Sequence, residues 1–183
     1  MSFQEQSVVA QPGTDVWRKP PHTDIFNVFS SACLTFSATW TNRYDQAGLL
    51  LLLRPAYSAP DQPPAKWIKT GVEFYMDAPQ LSTVVCERWA DWSVAPAPPS
   101  SAFHKRVTIM IKAEQDEHGK SLWVYHVDHE GAKSPLREIC GVYGDDGVDW
   151  QLEVGYMAAR PDRNATDDLK VDFHNFEVHM KEL

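Results

Sequence analysis

The chain has 183 residues, of which 43% are hydrophobic and 11% aromatic. This composition is typical of one packed domain and excludes an intrinsically disordered chain. With 25 acidic and 17 basic residues the net charge is −8, and binding to a nucleic-acid backbone would instead require clustered Lys and Arg. No stretch approaches the roughly 18 apolar residues that indicate a membrane-spanning helix. We therefore expect neither a nucleic-acid nor a membrane partner, and oligomeric state stays open.

The N-terminal sequence, MSFQEQSVVAQPGTDVW, has no basic region followed by an apolar run, so it does not match a secretory signal. The three cysteines, Cys33, Cys86 and Cys140, lie far apart and fit no metal-ligand spacing. Free thiols in a reducing compartment are the expected state. We predict a cytoplasmic protein with a flexible tail at residues 1–15 and a single domain at 16–183.

Strand-like alternation of apolar and polar residues marks most of the chain. The predicted strands are, in chain order, residues 25–40, 44–54, 67–75, 81–94, 106–114, 121–127, 150–158 and 170–180. Two proline-rich stretches, residues 55–65 and 95–101, are expected outside the sheets because proline cannot donate to a sheet ladder. A short turn near residues 135–140 is the one predicted helix. This pattern predicts an all-β antiparallel sandwich or barrel.

Alternation also sorts the strands at 44–54, 67–75 and 81–94 into two faces. One face is apolar and is predicted to belong to the core. The other carries a polar and aromatic row made of Gln46, Trp67, Lys69, Glu73, Tyr75, Cys86 and Arg88. Gly48 and Gly71 are expected to lower the floor of this face, because glycine in a strand often marks a close approach.

This polar row predicts a groove that binds a small organic ligand by aromatic stacking and a few directed hydrogen bonds. The alternative is a plain solvated face, on which cross-strand Lys, Glu and Arg pairs contribute only about 0.2–1 kcal/mol each. The sequence leaves both interpretations open.

Several motifs of the chain match the pattern of a known family. YDQAGLLLL, WIKTGVEF, LSTVV and DWSV occur in this order, followed by VGYMAARP and VDFHNFEV. With these motifs the sequence resembles, from about Trp17 to Leu183, the fungal and bacterial family called domain of unknown function 1349, the regulation-of-enolase-like proteins. The resemblance implies a concanavalin A-like jelly roll of two curved antiparallel sheets with little helix. Members of that superfamily often place ligands, frequently sugars, on the concave sheet.

The resemblance carries over the motif positions Tyr44, Asp45, Gln46, Gly48, Trp67, Lys69, Glu73, Asp91, Trp92 and Ser93. Two segments depart from the family pattern, residues 20–24 (PPHTD) and the long proline-rich insertion at 55–65. Both are expected to reshape the mouth of the groove.

Few kinds of catalytic site are compatible with the sequence. Glycosidases need two carboxylates that face each other, whereas Glu73 stands alone on its strand. His126 and Asp128 share a strand face but His129 points away from it, which disfavours a metal triad. The sequence has no GxGxxG, phosphate loop or CxxC, so we predict no cofactor and no metal ligand.

Lys69 and Glu73 are the predicted catalytic residues if chemistry occurs, with Lys69 polarising a carbonyl and Glu73 acting as a base or orienting one. The predicted ligand-binding residues are Tyr44, Gln46, Trp67, Tyr75, Arg88 and Trp92. The leading hypothesis is a module that binds a carbohydrate-like molecule or a hydrophobic metabolite. A second is a cofactor-free isomerase, lyase or cyclase of secondary metabolism that uses the same groove. A third, suggested only by the family's name, is a regulatory protein that contacts a cytosolic enzyme.

Overall fold

Two antiparallel sheets face each other across an apolar core in the computed structural model. The structure describes residues 6–12, 14, 29–59, 61–98, 106–117, 119–143 and 149–181. Its strands are β1 Gln6–Ala10, β2 Phe29–Ala38, β3 Gln46–Pro55, β4 Lys66–Tyr75, β5 Ala78–Cys86, β6 Ala90–Pro96, β7 Val107–Asp116, β8 Gly119–Val127, β9 Lys133–Ile139, β10 Trp150–Ala159 and β11 Leu169–Met180. A 3-10 turn covers Gly141–Tyr143.

The strand order is β1-β11-β2-β7-β8-β9 in the six-stranded sheet and β10-β3-β4-β5-β6 in the five-stranded sheet. All strand pairs are antiparallel. The prediction of an all-β antiparallel sandwich is confirmed. No helix among the described residues is long and apolar enough to cross a lipid bilayer.

The core lies between the sheets and is built by strand alternation. In β3 the leucines at 49, 51 and 53 are fully buried, and they belong to one cluster with Phe36 of β2 and Ile109 of β7. Burial of such a side chain contributes roughly 1.5–3 kcal/mol. Because this face of β3 is committed to the core, its other face points away from the sandwich, where the candidate site lies.

Two predictions of local structure are wrong. Within the segment predicted as a flexible tail, Gln6–Ala10 forms β1 and pairs with β11; residues 1–5, 13 and 15 lie outside the described residues. The helix predicted at 135–140 is largely strand β9, which ends the six-stranded sheet and tolerates Pro135 there, where the register with β8 shifts. The strand predicted at 81–94 is two strands, because the chain turns at residues 87–89.

The proline-rich stretches also reach further into the sheets than predicted. Pro55 is the last residue of β3, and Pro96 is the last residue of β6, the edge strand of its sheet. An edge position leaves one side of the backbone unpaired, so a missing N–H costs little there.

Candidate functional site

The outward face of the five-stranded sheet carries a row of polar side chains set by strand register. Gln46 of β3 lies opposite Glu73 of β4, and Gly71 of β4 lies opposite Ser82 of β5. Lys69 is two residues from Gly71 on β4 and therefore shares its face. The apolar alternation that buries the leucines of β3 thus directs this row away from the core.

Gly71 lies in the floor of the site, and Gly48 lies beside it on the neighbouring strand. They are register partners on β3 and β4. A Cβ built on Gly48 would lie 2.1 Å from the Thr70 carbonyl oxygen, and one on Gly71 would lie 2.0 Å from the Ala47 carbonyl oxygen. The two backbones approach too closely for any side chain, so the floor is bare backbone between larger neighbours.

A cavity of about 180 Å³, counted with the space open to solvent, lies above this floor. Gln46, Lys69, Glu73 and Ser82 supply its polar lining, and Met157 of β10 supplies an apolar side. Because that volume includes open solvent, the enclosed space is far smaller than the roughly 300–1,000 Å³ of a drug-sized pocket. The cavity is therefore a shallow depression that can receive one polar group or one edge of a molecule that stays mostly outside it.

Lys69 is fixed by a chain of hydrogen bonds. Its Nζ donates to Gln46 Oε1 at 2.5 Å, and Gln46 Nε2 donates to the Tyr44 carbonyl oxygen at 3.1 Å. Lys69 is 6% exposed, although it sits on the outward face of the sheet. A buried ammonium is costly unless it is paired or hydrogen-bonded, so this position is a strongly specified part of the structure.

Glu73 is held by a second chain. Ser82 Oγ donates to Glu73 Oε2 at 2.9 Å, and Trp92 Nε1 donates to Ser82 Oγ at 3.1 Å. Glu73 is also 6% exposed. The indole N–H of β6 therefore orients the hydroxyl of β5, which in turn orients the carboxylate of β4 toward the cavity.

Three aromatic rings stand beside these chains. Tyr44 and Tyr75 stack with centroids 5.8 Å apart, and Trp92 meets Tyr75 edge-on at 5.0 Å. The Arg43 guanidinium lies 4.6 Å from the Tyr44 ring centroid, and its Nη2 donates to the Tyr44 hydroxyl at 2.7 Å. Aromatic pairs of this geometry contribute about 0.5–1.5 kcal/mol beyond burial. We name Tyr44, Tyr75 and Trp92 the aromatic wall.

Trp67 lies on the same outward face, at the far side of Lys69 from the cavity floor. It forms a small buried cluster with Val84 and Cys86, and Lys69 Nζ is 5.9 Å from its ring centroid. Trp67 therefore serves as an apolar support for the lysine. Cys86 is buried in this cluster, which agrees with an unreactive free thiol.

A buried ion pair anchors the loop that carries Tyr44. Arg160 Nε and Nη2 donate to Asp45 Oδ1 and Oδ2, each at 2.8 Å, with side chains 1% and 0% exposed. Asp45 Oδ2 also accepts the backbone N–H groups of Thr41 and Asn42 at 3.0 and 2.9 Å. The hydrogen bonds from Arg160 to Asp45, with a smaller contribution from Asp167, also raise the pKa of Arg160 above its ordinary value.

Tyr44 itself adopts a left-handed backbone conformation with φ of 69°. Such a conformation is rare for a bulky residue and persists only where the surroundings enforce it. The Asp45–Arg160 pair and the hydrogen bond from the Tyr44 N–H to the Phe74 carbonyl at 2.7 Å supply that enforcement. The loop thereby presents the Tyr44 ring to the aromatic wall.

The structure brings together seven of the eight site residues predicted from the sequence: Lys69, Glu73, Tyr44, Gln46, Trp67, Tyr75 and Trp92. The placement of Arg88 on this face is wrong. β5 ends at Cys86, and Arg88 lies exposed in the turn before β6.

Sequence reasoning missed the roles of Ser82, Met157 and Arg43. Ser82 could have been found as the outward residue of β5 that neighbours Glu73 once the hairpin register was known. Met157 comes from β10, far along the chain, and nothing in the sequence announces its position.

Metal-binding side chains do not converge in the described part of the chain, where no group of three or more His, Cys, Asp or Glu residues could hold an ion. His126 points into the sandwich at the end of β8, and burial lowers its pKa. Cys33, Cys86 and Cys140 are all free thiols.

Comparison with known proteins gives a family. The family described as "Protein of unknown function (DUF1349)" matches residues 3–181. An uncharacterized protein of Emericella nidulans, AN7484, is 38% identical over 188 residues, which cover 96% of this chain and 86% of that protein.

Solved structures share the fold. A functionally unknown protein from Saccharomyces cerevisiae superposes with a TM-score of 0.70 at 20% identity, over 100% of this chain and 93% of that one. A GH43 protein from Bacillus licheniformis superposes with a TM-score of 0.55 at 13% identity, over 83% of this chain and 27% of that one. At these identities the likeness concerns the fold alone. The match along residues 3–181 confirms the family predicted from the motifs, and the chain belongs to the DUF1349 family.

Proposed function

We propose that this protein binds a small organic ligand in the cavity on the outward face of the five-stranded sheet. The observation that carries the proposal is the pair of buried polar chains, Lys69–Gln46 and Glu73–Ser82–Trp92, which both end at one solvent-open cavity. Burying an ammonium and a carboxylate costs stability unless the arrangement is well satisfied. A few convergent polar groups beside one cleft are typical of ligand-binding sites.

The lining favours a ligand with both hydrogen-bond donors and acceptors. Lys69 and Glu73 bring opposite charges to the same cavity, and the aromatic wall stands beside them. One edge of a carbohydrate-like ring or of a small oxygenated metabolite matches this combination of charges and aromatic rings. The shared fold with a GH43 protein makes carbohydrates the first class to test.

A second candidate is cofactor-free catalysis in the same cavity. Ser82 and Trp92 fix the Glu73 carboxylate, and fixed orientation is what a general base requires. Among the described residues that line the cavity Glu73 is the single carboxylate, whereas the usual glycosidase mechanism uses two. An isomerase, lyase or cyclase therefore suits this lining better than a glycoside hydrolase.

Thermal-shift screening with sugars and with terpenoid and polyketide metabolites tests the binding proposal. We expect at least one class to raise the Tm of the wild-type protein. Lys69→Met and Glu73→Gln should weaken that shift while keeping the volume of each side chain. Lys133→Met and Glu130→Gln, at exposed positions outside the cavity, are the matched controls and should leave the shift unchanged.

The outcomes separate the candidates. Loss of binding in the two cavity variants with no turnover of the ligand supports a binding module. Turnover that disappears in one variant while binding persists supports an enzyme. If neither ligand class stabilises the protein, or if all four variants behave alike, the cavity is not the functional site.

A further inference from the structure

A serine, a histidine and an aspartate come together on the opposite side of the molecule, on the outward face of the six-stranded sheet. Ser37 of β2 is the register partner of Asp172 of β11. The register of β11 shifts between Phe173 and Asn175, so His174 is the extra residue of a β-bulge. The Ser37 Oγ and His174 Nε2 atoms are 2.7 Å apart.

Asp172 is fixed beside this pair. Its Oδ1 accepts a hydrogen bond from Ser7 Oγ at 2.5 Å and lies 3.1 Å from Lys170 Nζ. These two contacts, with a smaller contribution from the charge of His174, lower the pKa of Asp172. A carboxylate held in this way stays charged near neutral pH.

We propose that Ser37 is an activated nucleophile, with His174 as its general base, which accepts acyl groups from small activated esters. A hydroxyl within hydrogen-bond reach of an imidazole, with a third polar group beside the base, is the general signature of such a nucleophile. The cavity between Lys69 and Glu73 is not lined by Ser37, Asp172 or His174. The proposal is therefore independent of ligand binding there.

The step balances within the site and the ester. With the imidazole proton on Nδ1, Nε2 accepts the proton of the Ser37 hydroxyl. The serine oxygen then bonds to the ester carbonyl carbon, and the bond from that carbon to the leaving oxygen breaks. The leaving group departs as an alkoxide or phenolate and takes up a proton from the imidazolium or from water. Asp172 stabilises the imidazolium in between.

The face is open, which limits the class of substrate. Ser37, Asp172 and His174 are all partly exposed, so an ester can approach without any rearrangement of the sheet. An open site provides little binding energy for a long acyl chain. Short, intrinsically reactive esters are therefore the expected substrates.

Incubation of the full chain with p-nitrophenyl acetate, followed by peptide mass spectrometry, tests the proposal. We expect one acetyl group on Ser37 and a burst of nitrophenolate that matches it. Ser37→Ala should abolish both. His174→Gln should slow acetylation about 100-fold, the lower end of what a positioned general base contributes.

Ser31→Ala is the matched control, since Ser31 lies on the same face of the same strand near its other end. This variant should become acetylated at Ser37 as fast as the wild-type protein does. Circular dichroism spectra verify that each variant is folded. If His174→Gln does not fold, His174→Asn provides the same test. Acetylation spread over surface lysines and serines, or an unchanged rate at Ser37 without the imidazole, would overturn the proposal.

Discussion

Arg160→Met should be among the most damaging single substitutions in the described part of the chain. The change removes both hydrogen bonds to Asp45, the 2.7 Å bond to Thr41 Oγ1 and the 2.7 Å bond to the Asp167 carbonyl. Asp45 would remain fully buried with two backbone N–H groups and the more distant Thr41 hydroxyl, 3.5 Å away, as its partners. Removing one member of a buried pair typically costs about 3–5 kcal/mol, because the other charge is left uncompensated.

For a chain of this size that loss corresponds to a fall in Tm of about 6–20 °C. Urea denaturation at pH 7 and a thermal scan measure it. Arg54→Met is the matched control, because Arg54 pairs with a Glu153 side chain that is 57% exposed, and such pairs contribute only about 0–1 kcal/mol.

A double mutant sharpens the reasoning. Adding Asp45→Asn to Arg160→Met removes the orphaned charge, so the double mutant should be more stable than the sum of the two single losses. Strictly additive losses, or an Arg160→Met protein as stable as the Arg54→Met control, would refute the idea that the buried charge dominates. Arg160→Met should also release Tyr44 from its left-handed conformation. It should therefore lower the affinity for any ligand that binds beside the aromatic wall.

Three further outcomes are expected. Gly48→Ala should lower the free energy of unfolding by at least about 3 kcal/mol, the upper end of the usual overpacking cost, because its methyl would lie 2.1 Å from backbone. Gly155→Ala, with nothing within 4 Å of the new methyl, should be nearly neutral. Urea denaturation of both variants measures the difference. Because burial lowers the folded-state pKa of His126, the unfolded chain binds the proton first as pH falls below about 6.5. Wild type should therefore lose stability from that pH downward, and a His126→Gln protein whose Tm falls equally between pH 7 and 5 would contradict this. Ser82→Ala should leave the Trp92 N–H unpaired at a cost of about 1–3 kcal/mol and change the tryptophan fluorescence; a spectrum and stability identical to wild type would show that this hydrogen bond is unimportant.

Local alternation was enough to assign the two faces of β3 and β4. Each Leu of β3 that the pattern placed in the core is buried there, and Gln46, Lys69 and Glu73 lie on the other face as predicted. This works because successive side chains of a strand must point to opposite sides, so one apolar series fixes its complement. The fold class followed from the same periodicity, and the motif order identified the family.

Turns were harder to predict, because they depend on where pairing stops. The segment at residues 81–94 alternates well enough to resemble one strand, yet the chain reverses at residues 87–89 and removes Arg88 from the site. The β4–β5 hairpin does turn between the predicted strands at 67–75 and 81–94, at Met76 and Asp77, both with positive φ, although neither is the glycine or asparagine that usually signals such a turn. Pairing between long strands enforces this turn against local preference.

The sequence by itself therefore determined the two faces of β3 and β4, the all-β antiparallel class of the domain, and that Lys69 and Glu73 share one face. Tertiary structure decided how those residues are connected. Ser82 and Trp92 reach Glu73 through the register of β4, β5 and β6, and Arg160 reaches Asp45 across 115 positions of the chain. The reason is physical: alternation is a property of one strand, whereas register and closure depend on the free energy of the whole packed sandwich.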